Sequence, residues 1–339
     1  MTLRLGFFTR VLDRAAPSER YRMALEQIAL ADRLGYDTAW VAQHHFHEDE
    51  GGLPAPLVFL ANAAARTTRI RLATGIITLP LEMGLRVAED TAVLDALCDG
   101  RLEIGVGPGG NHSAFNAFNL SAADRHKLMA DNLALMRAAW RGETLSGGDR
   151  LYPVNPALAD RIWQATFSVE GGHRAGADGD GILLSRTQPR PADQPHLSLY
   201  DIQSPILDAY YAALPSGKAP RVLASRSVFV ADNHAEAIHL AAIGLQIARQ
   251  RRGLSGGTVA EWIQEADSHV GTPADIIESL AADRTLERAT ELSVQVHSID
   301  PPHPLVLRSL ELMAEAVAPA CGWSAPTMET RPNAVRQVA

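Results

Sequence analysis

The sequence predicts an α/β protein, a closed (β/α)8 TIM barrel with an insertion before its last strand. Three observations predict it. Short apolar runs alternate with longer amphipathic stretches eight times. The runs are apolar on both faces, as parallel strands covered by helices on either side must be. The length of 339 residues suits one enlarged barrel, which needs about 250 residues, better than two average domains. A doubly wound open sheet is the rival arrangement for the same alternation.

The elements follow in chain order. Residues 3–9 (LRLGFFT) form the first strand. Tyr21, Leu25, Ile28, Ala31 and Leu34 recur at spacings of three and four, giving a helix over 18–34 that Gly35 ends. Strands at 38–43, 70–79 and 101–106 alternate with helices at 55–67 and 85–98. Ser121 and Asp124 open a capping box for a helix running to about Trp140. A fifth strand at 162–168 leads into a short helix near 171–178, and a sixth at 181–185 into a helix near 202–213. The seventh, at 221–230, leads into a helix at 234–250. Residues 251–290 read as an insertion. It holds a flexible LSGG stretch and a helix with Thr272 as cap, Pro273 first and Asp275 third. Its length makes it a lid candidate. A strand at 292–298 and a helix at 303–318 complete a single domain over 1–319, leaving 320–339 as a peripheral tail.

Composition narrows the function. The balance of 31 basic against 39 acidic residues gives −8, with no basic run, which argues against nucleic acid and acidic membranes as partners. Two unpaired cysteines, an N-terminus without a signal-peptide core and no stretch of 18 apolar residues point to a cytoplasmic protein with no membrane span.

Barrel enzymes place their chemistry at the C-terminal ends of the strands. Four constellations fall there. The densest is Gln43-His44-His45-Phe46-His47-Glu48-Asp49-Glu50. Strand alternation would point His45 and His47 one way and His44 and Phe46 the other. Three readings stay open: a His-x-His metal site, a single catalytic histidine titrating near neutrality, or a hydrogen-bonded loop. The metal reading needs further ligands: His297 qualifies by position, but at the ends of the fifth to eighth strands the only acids are Glu170, just beyond the fifth, and Asp232, which counts against it. The carboxylated lysine of two-metal hydrolases has no candidate, because Lys127 falls in a helix and Lys218 in a loop.

Gly105-Val106-Gly107-Pro108-Gly109-Gly110 matches G-x-G-x-x-G, yet the next helix signal is Ser121, too far on for a dinucleotide fingerprint. Its glycines still let backbone approach a flat ligand. Ser168-Val169-Glu170-Gly171-Gly172-His173-Arg174 combines a hydroxyl, two glycines and a helix start, an anion nest or a plain glycine turn. Ser185-Arg186-Thr187 is a weaker candidate of the same kind. Thr74-Gly75-Ile76-Ile77 ends the third strand, and Arg86, Glu89 and Asp90 beyond it read as solvated helix ion pairs.

Four segments in this order resemble the bacterial-luciferase-like flavin monooxygenase family: GYDTAWVAQHHF (35–46), IRLATGIITLP (70–80), LRVAEDTAVLDALCDGRLEIGVG (85–107) and VGTPADIIESL (270–280). The resemblance runs from Leu3 to about Pro319. It implies reduced FMN over the barrel mouth, supplied by a separate NAD(P)H-dependent reductase, and a small organic substrate oxygenated with O2. It implies that His44 does acid–base work or stabilises a flavin peroxide. Thr74, Gly75, Ile76 and Gly107 would lie at the isoalloxazine, with a non-proline cis peptide at Gly75–Ile76. The phosphate would lie at Ser168, Glu170, Gly171 and Gly172, with Arg186 or Arg174 as its cation. No metal is implied, and subunits would pair as a homodimer or higher homo-oligomer through the second and third helices. Luciferase has Glu where this chain has Gln43 and a phosphate-binding Arg where it has Pro108, so aldehyde chemistry is not expected. A deazaflavin-dependent hydride-transfer enzyme is the alternative on the same barrel. A metal-dependent TIM-barrel hydrolase using His45 and His47 is the alternative from another class.

Overall fold

A computed structural model describes residues 3–323. Its strands are β1 (Arg4–Thr9), β2 (Thr38–Val41), β3 (Arg71–Thr74), β4 (Ile77–Thr78), β5 (Leu102–Gly107), β6 (Ile162–Ala165), β7 (Gly181–Leu184), β8 (Val222–Val230), β9 (Ser268–Gly271) and β10 (Glu291–Gln295). They pair in parallel, and β10 bonds both to β8 and back to β1, which closes the barrel and removes the open-sheet rival. The strands that close the ring are thus β1, β2, β3 with β4, β5, β6, β7, β8 and β10.

The differences from the sequence reading cluster at the mouth. The strand expected over 70–79 is broken after Thr74 and resumes at Ile77, and the Gly75–Ile76 peptide between the two pieces is cis. The second and fifth strands stop at Val41 and Ala165, earlier than expected, so Gln43 to Glu50 and Thr166 to Ser168 are loop. The helix expected near 171–178 starts at Val169. An unforeseen short helix, His112–Ala117, follows the 105–110 glycines, capped by Asn111, whose side chain accepts the amides of Ser113 and Ala114. Six residues with no long apolar period left no signal for it.

The segment 251–290 is also more than an insertion. β9 pairs with Ser227–Val230 of β8, and the helices Val259–Glu265 and Pro273–Ala281 flank it. The nine residues of β8 outrun the five of β10. That leaves a bare strand edge, which β9 covers. The tail expected over 320–339 lies outside the described residues from 324 onward. Among the described residues no helix is long and apolar enough to cross a membrane.

The barrel interior is filled by Trp40, Ala73, Trp163, Leu183 and Leu223. Trp40 and Trp163 meet edge to face with centroids 5.4 Å apart. Each indole donates to a buried carboxylate below it, Trp40 to Glu291 and Trp163 to Glu103, both at 2.7 Å. Arg4 approaches Glu291 at 3.2 Å, and Arg71 pairs with Glu103. Gly105 is a steric requirement: a Cβ there would sit 2.0 Å from the carbonyl oxygen of Thr74. A side chain at that position would push β3 and β5 apart just below the mouth.

Candidate active site at the barrel mouth

Four strand ends deliver polar side chains to the mouth. β1 delivers Arg10, β2 His44, β7 Arg186, and β10 His297 and Asp300. Arg10 Nη2 lies 3.4 Å from His44 Nε2 and also donates to the Glu50 carbonyl. Because a guanidinium can only donate, this contact makes His44 Nε2 the acceptor and puts the ring proton on Nδ1. Nδ1 faces the Glu50 carboxylate at 3.9 Å. Burial first, then Arg10 and the neighbouring histidines, pushes the His44 pKa down to about 3. His44 is therefore a neutral imidazole at neutral pH.

His297 is held in the same way. Its Nδ1 lies 3.0 Å from both carboxylate oxygens of Asp300. Burial outweighs that carboxylate and takes the His297 pKa down to about 4, with Arg186 and Arg10 adding to the shift. Arg186 is 5% exposed, and among the described residues it has no hydrogen-bond or ion-pair partner. Burial pulls its pKa down to about 9, Arg10 pulling the same way and Asp300 and Asp267 opposing. Arg10 is half-buried, has no carboxylate within salt-bridge distance among the described residues, and its Nε is buried without a hydrogen bond.

The loop histidines do not converge. The chain has left the sheet at Val41, and Phe46 takes a left-handed backbone at φ 67°, so strand alternation does not apply to 43–50. His45 packs against Phe46 and Phe118. His47 Nε2 lies 3.0 Å from the Ser113 hydroxyl. Among the described residues no group of three or more His, Cys, Asp or Glu is placed to hold a metal ion. Gln43 ties the loop to the break in the third strand. Its amide donates to Glu82 at 2.8 Å and its oxygen accepts the Thr78 amide at 2.7 Å. Arg86 pairs with Glu89 and Asp90 on an exposed helix face, as expected.

The residues expected at a cofactor fall into two places. Gly75 and Ile76 are half-buried at the mouth, above a fully buried Thr74. The Thr74 hydroxyl donates to the Gly105 carbonyl at 2.8 Å and accepts the Gly105 amide at 2.9 Å. Thr74 thus fixes the break from behind. Gly107 is buried next to Ile76, whose Cδ1 lies 2.5 Å from where a Cβ on Gly107 would be. Ser168 caps the helix Val169–Ala177 by accepting the Gly171 amide at 3.1 Å. Gly172 is buried, and a Cβ there would lie 2.4 Å from the Ile206 carbonyl oxygen, so it serves packing against the helix Leu199–Ala213. The Ser168 hydroxyl and the Glu170 side chain are exposed, and the latter, being acidic, offers an anion only its amide. Arg174 Nε reaches Gln164 at 3.4 Å.

Arg10 and Asp300 are the mouth residues the sequence reading missed. Arg10 had a signal, since it directly follows the first strand. Asp300 had none until the fold set it on His297. A cavity of about 440 Å³ opens beside this group, between the ends of β1 and β10 and the outer helices, with Phe8, Arg10, Met23, Ile243 and His297 on its wall.

The luciferase-like monooxygenase family model matches residues 3–292. Limonene 1,2-monooxygenase of Rhodococcus erythropolis is 30% identical over 177 residues, covering 49% of this chain and 45% of that protein. F420-dependent glucose-6-phosphate dehydrogenase of Beutenbergia cavernae is 29% identical over 203 residues, covering 56% of this chain and 58% of that protein. The crystal structure of monooxygenase RslO1 from Streptomyces bottropensis is similar with a TM-score of 0.77 and 25% identity, covering 94% of this chain and 99% of that one. The chain spans about half or less of the length of the first curated relatives it matches, at 49%, 32% and 45%.

Proposed function

The chain belongs to the luciferase-like monooxygenase family, whose members use reduced flavin or the deazaflavin F420, and on that premise we propose that it is an FMN-dependent monooxygenase of a small organic molecule. One observation carries the reading. The family match runs through every strand end from Arg10 to Arg186, and those ends are the mouth.

The residues present fit a flavin. Gly75 and Ile76 are half-buried, the Phe8 ring lies against Gly75, and Thr74 is tied to β5 behind them. Gly75, Ile76 and Gly107 would meet the ring system. Ser168, Gly171, Gly172 and the Glu170 amide would meet the phosphate at the start of the helix Val169–Ala177. When bound, reduced FMN supplies the two electrons with which one atom of O2 enters the substrate and the other leaves as water. The protein's part is to hold, orient and keep dry. His44, neutral and with its proton on Nδ1, offers a fixed hydrogen bond rather than a positive charge. Gln43 and Glu82 lock the loop that carries it. Reduced flavin would come from a separate reductase. Pairing of subunits is supported by exposed Val58, Val93 and Leu97 on the helices Pro56–Ala64 and Gly84–Leu97.

Hydride transfer with the deazaflavin is the second reading, favoured by the F420-dependent relative. Fluorescence titration with FMN and with deazaflavin separates the two. FMN binding is expected, and deazaflavin binding without an FMN response would overturn the first reading. With FMN bound, O2 uptake over a substrate panel should fall about 100-fold or more in His44→Ala. Unchanged turnover removes His44 from the chemistry.

A further inference from the structure

The end of the barrel opposite the mouth holds a cavity of about 420 Å³ whose wall carries six arginines, Arg4, Arg69, Arg71, Arg101, Arg161 and Arg221. They come from the starts of five strands. Arg4 and Arg71 open β1 and β3, and the other four stand one or two residues before β3, β5, β6 and β8. Two acids share that wall, Glu103 and Asp160. In a protein of net charge −8 this is a local reversal of sign. The carboxylates within reach do not match the cations. Glu103 serves both Arg71 and Arg221, the latter at 3.9 Å. Arg4 turns to Glu291 at 3.2 Å and Arg161 to Asp95 at 2.7 Å. Asp160 is taken by Lys218 at 3.1 Å. Arg69 and Arg101 have no carboxylate within ion-pair distance among the described residues. Neutral oxygens hold them instead. Arg69 donates to the Tyr36 carbonyl at 2.6 Å, and Arg101 to the carbonyls of Ile70 and Cys98 at 2.7 and 2.9 Å. A carbonyl accepts the N–H but carries no net charge, so these bonds fix a guanidinium without neutralising it. Arg69 and Arg71 are exposed and the other four partly so, which leaves the cluster open to solvent.

We propose that this cavity binds a compact multivalent oxyanion of the phosphate or diphosphate class. The forked guanidinium matches phosphate oxygens. Arginines already anchored by carbonyls and carboxylates lose little freedom on binding. One multivalent anion also relieves the mutual repulsion of several guanidiniums at once, which a singly charged anion does far less well. The wall offers little to a group attached to the anion. Its aromatic ring, Trp163, has the Arg221 guanidinium 5.1 Å from its centroid and spends its indole N–H on Glu103. A free inorganic anion is therefore favoured over the phosphate end of a nucleotide. Bound there, it ties together the starts of β1, β3, β5, β6 and β8, away from the mouth. Its effect is on the stability of the closed ring, through binding the folded chain and not the unfolded one. The site is independent of which flavin the mouth takes.

Titration calorimetry and thermal melting test it on the full chain, cofactor-free and saturated with FMN, at matched ionic strength. The probes are diphosphate, phosphate, ADP and acetate. Diphosphate should bind about tenfold or more tighter than acetate and raise the melting temperature. ADP should gain nothing over diphosphate. Saturation with FMN should leave diphosphate affinity within about twofold, because the flavin would sit at the other end of the barrel. Arg69→Gln should weaken diphosphate binding about threefold, and Arg69→Gln with Arg71→Gln about tenfold or more. Arg69 is exposed and bonded to neutral oxygens, so its variant should melt close to the parent and decides the matter even where the double variant does not fold. Diphosphate that binds no tighter than acetate overturns the site, as does affinity that Arg69→Gln leaves unchanged. Competition with FMN places the anion at the mouth and overturns it too. ADP binding tenfold tighter than diphosphate overturns the choice of a free inorganic anion. Where FMN does not bind, the flavin reading fails, while the cofactor-free titrations of parent and variants still decide the anion site.

Discussion

The two ends of the barrel carry similar residues to opposite effect. At the N-terminal end, Arg4 meets Glu291, Arg71 and Arg221 meet Glu103, and Arg161 meets Asp95. The two indoles of the interior donate to the same two glutamates. A cavity of about 420 Å³ opens there too, but the arginines on its wall are satisfied. At the C-terminal end Arg186 has no partner among the described residues. Arg10 Nε, His45 Nε2, Gln188 Oε1 and Gln295 Oε1 are buried without one. Charge that is paired inside the fold serves stability. At the mouth polar atoms are left unpaired among the described residues.

Breaking a pair at the closed end should have the largest effect. Glu291→Leu leaves the Trp40 indole without an acceptor and Arg4 without its carboxylate, and should cost about 3 kcal/mol in denaturant unfolding. The corresponding substitution at the mouth, Arg186→Met, is expected to cost nothing. A Glu291→Leu protein as stable as the parent would end the contrast between the two faces.

Proton linkage gives an intermediate effect, with opposite signs at the two ends. His44 and His297 are held down to about 3 and about 4, below the ordinary 6.5 of histidine. The unfolded chain therefore binds more protons than the native one below about 6.5, and the protein loses stability as pH falls through that range. Glu291 is pushed up to about 6 by burial, so its contribution runs the other way: stability falls as pH rises from about 4.5 to about 6. Urea midpoints at pH 7 and pH 5 should show a smaller loss on acidification in His44→Asn than in the parent. Equal losses would mean that His44 is not held neutral.

The smallest effect belongs to Ser168. Ser168→Ala removes the acceptor of the Gly171 amide and should cost about 1 kcal/mol of stability. It should also narrow the preference for FMN over riboflavin a few-fold, read by fluorescence titration. A ratio that does not move would separate that helix start from the cofactor phosphate.

Much of this was legible in the chain. Apolar runs of four to nine residues at barrel spacing announced the closed sheet, because parallel strands covered on both sides need apolar residues on both faces. The placing of His44, Gly75 and Ile76 at the mouth was legible because barrel geometry puts those strand ends there, and the Gly75–Ile76 cis peptide expected from the family resemblance is present. β9 was not, since its four residues are only partly buried and show no clear period. The helix His112–Ala117 was not, because its signal is one cap and little more.

What the sequence alone determined were properties of neighbours along the chain: strand and helix period, caps such as Ser168 and Thr272, and the order of the elements. Tertiary structure decided which distant groups meet. Trp40 finds Glu291 across 251 positions, and Arg10 finds His44 across 34. Arg190 finds Asp267 across 77 positions, while His297 takes Asp300 only three residues on. Period and capping are local, but pairing follows from ring closure, which brings β1 beside β10 and decides which charges meet at either end of the barrel.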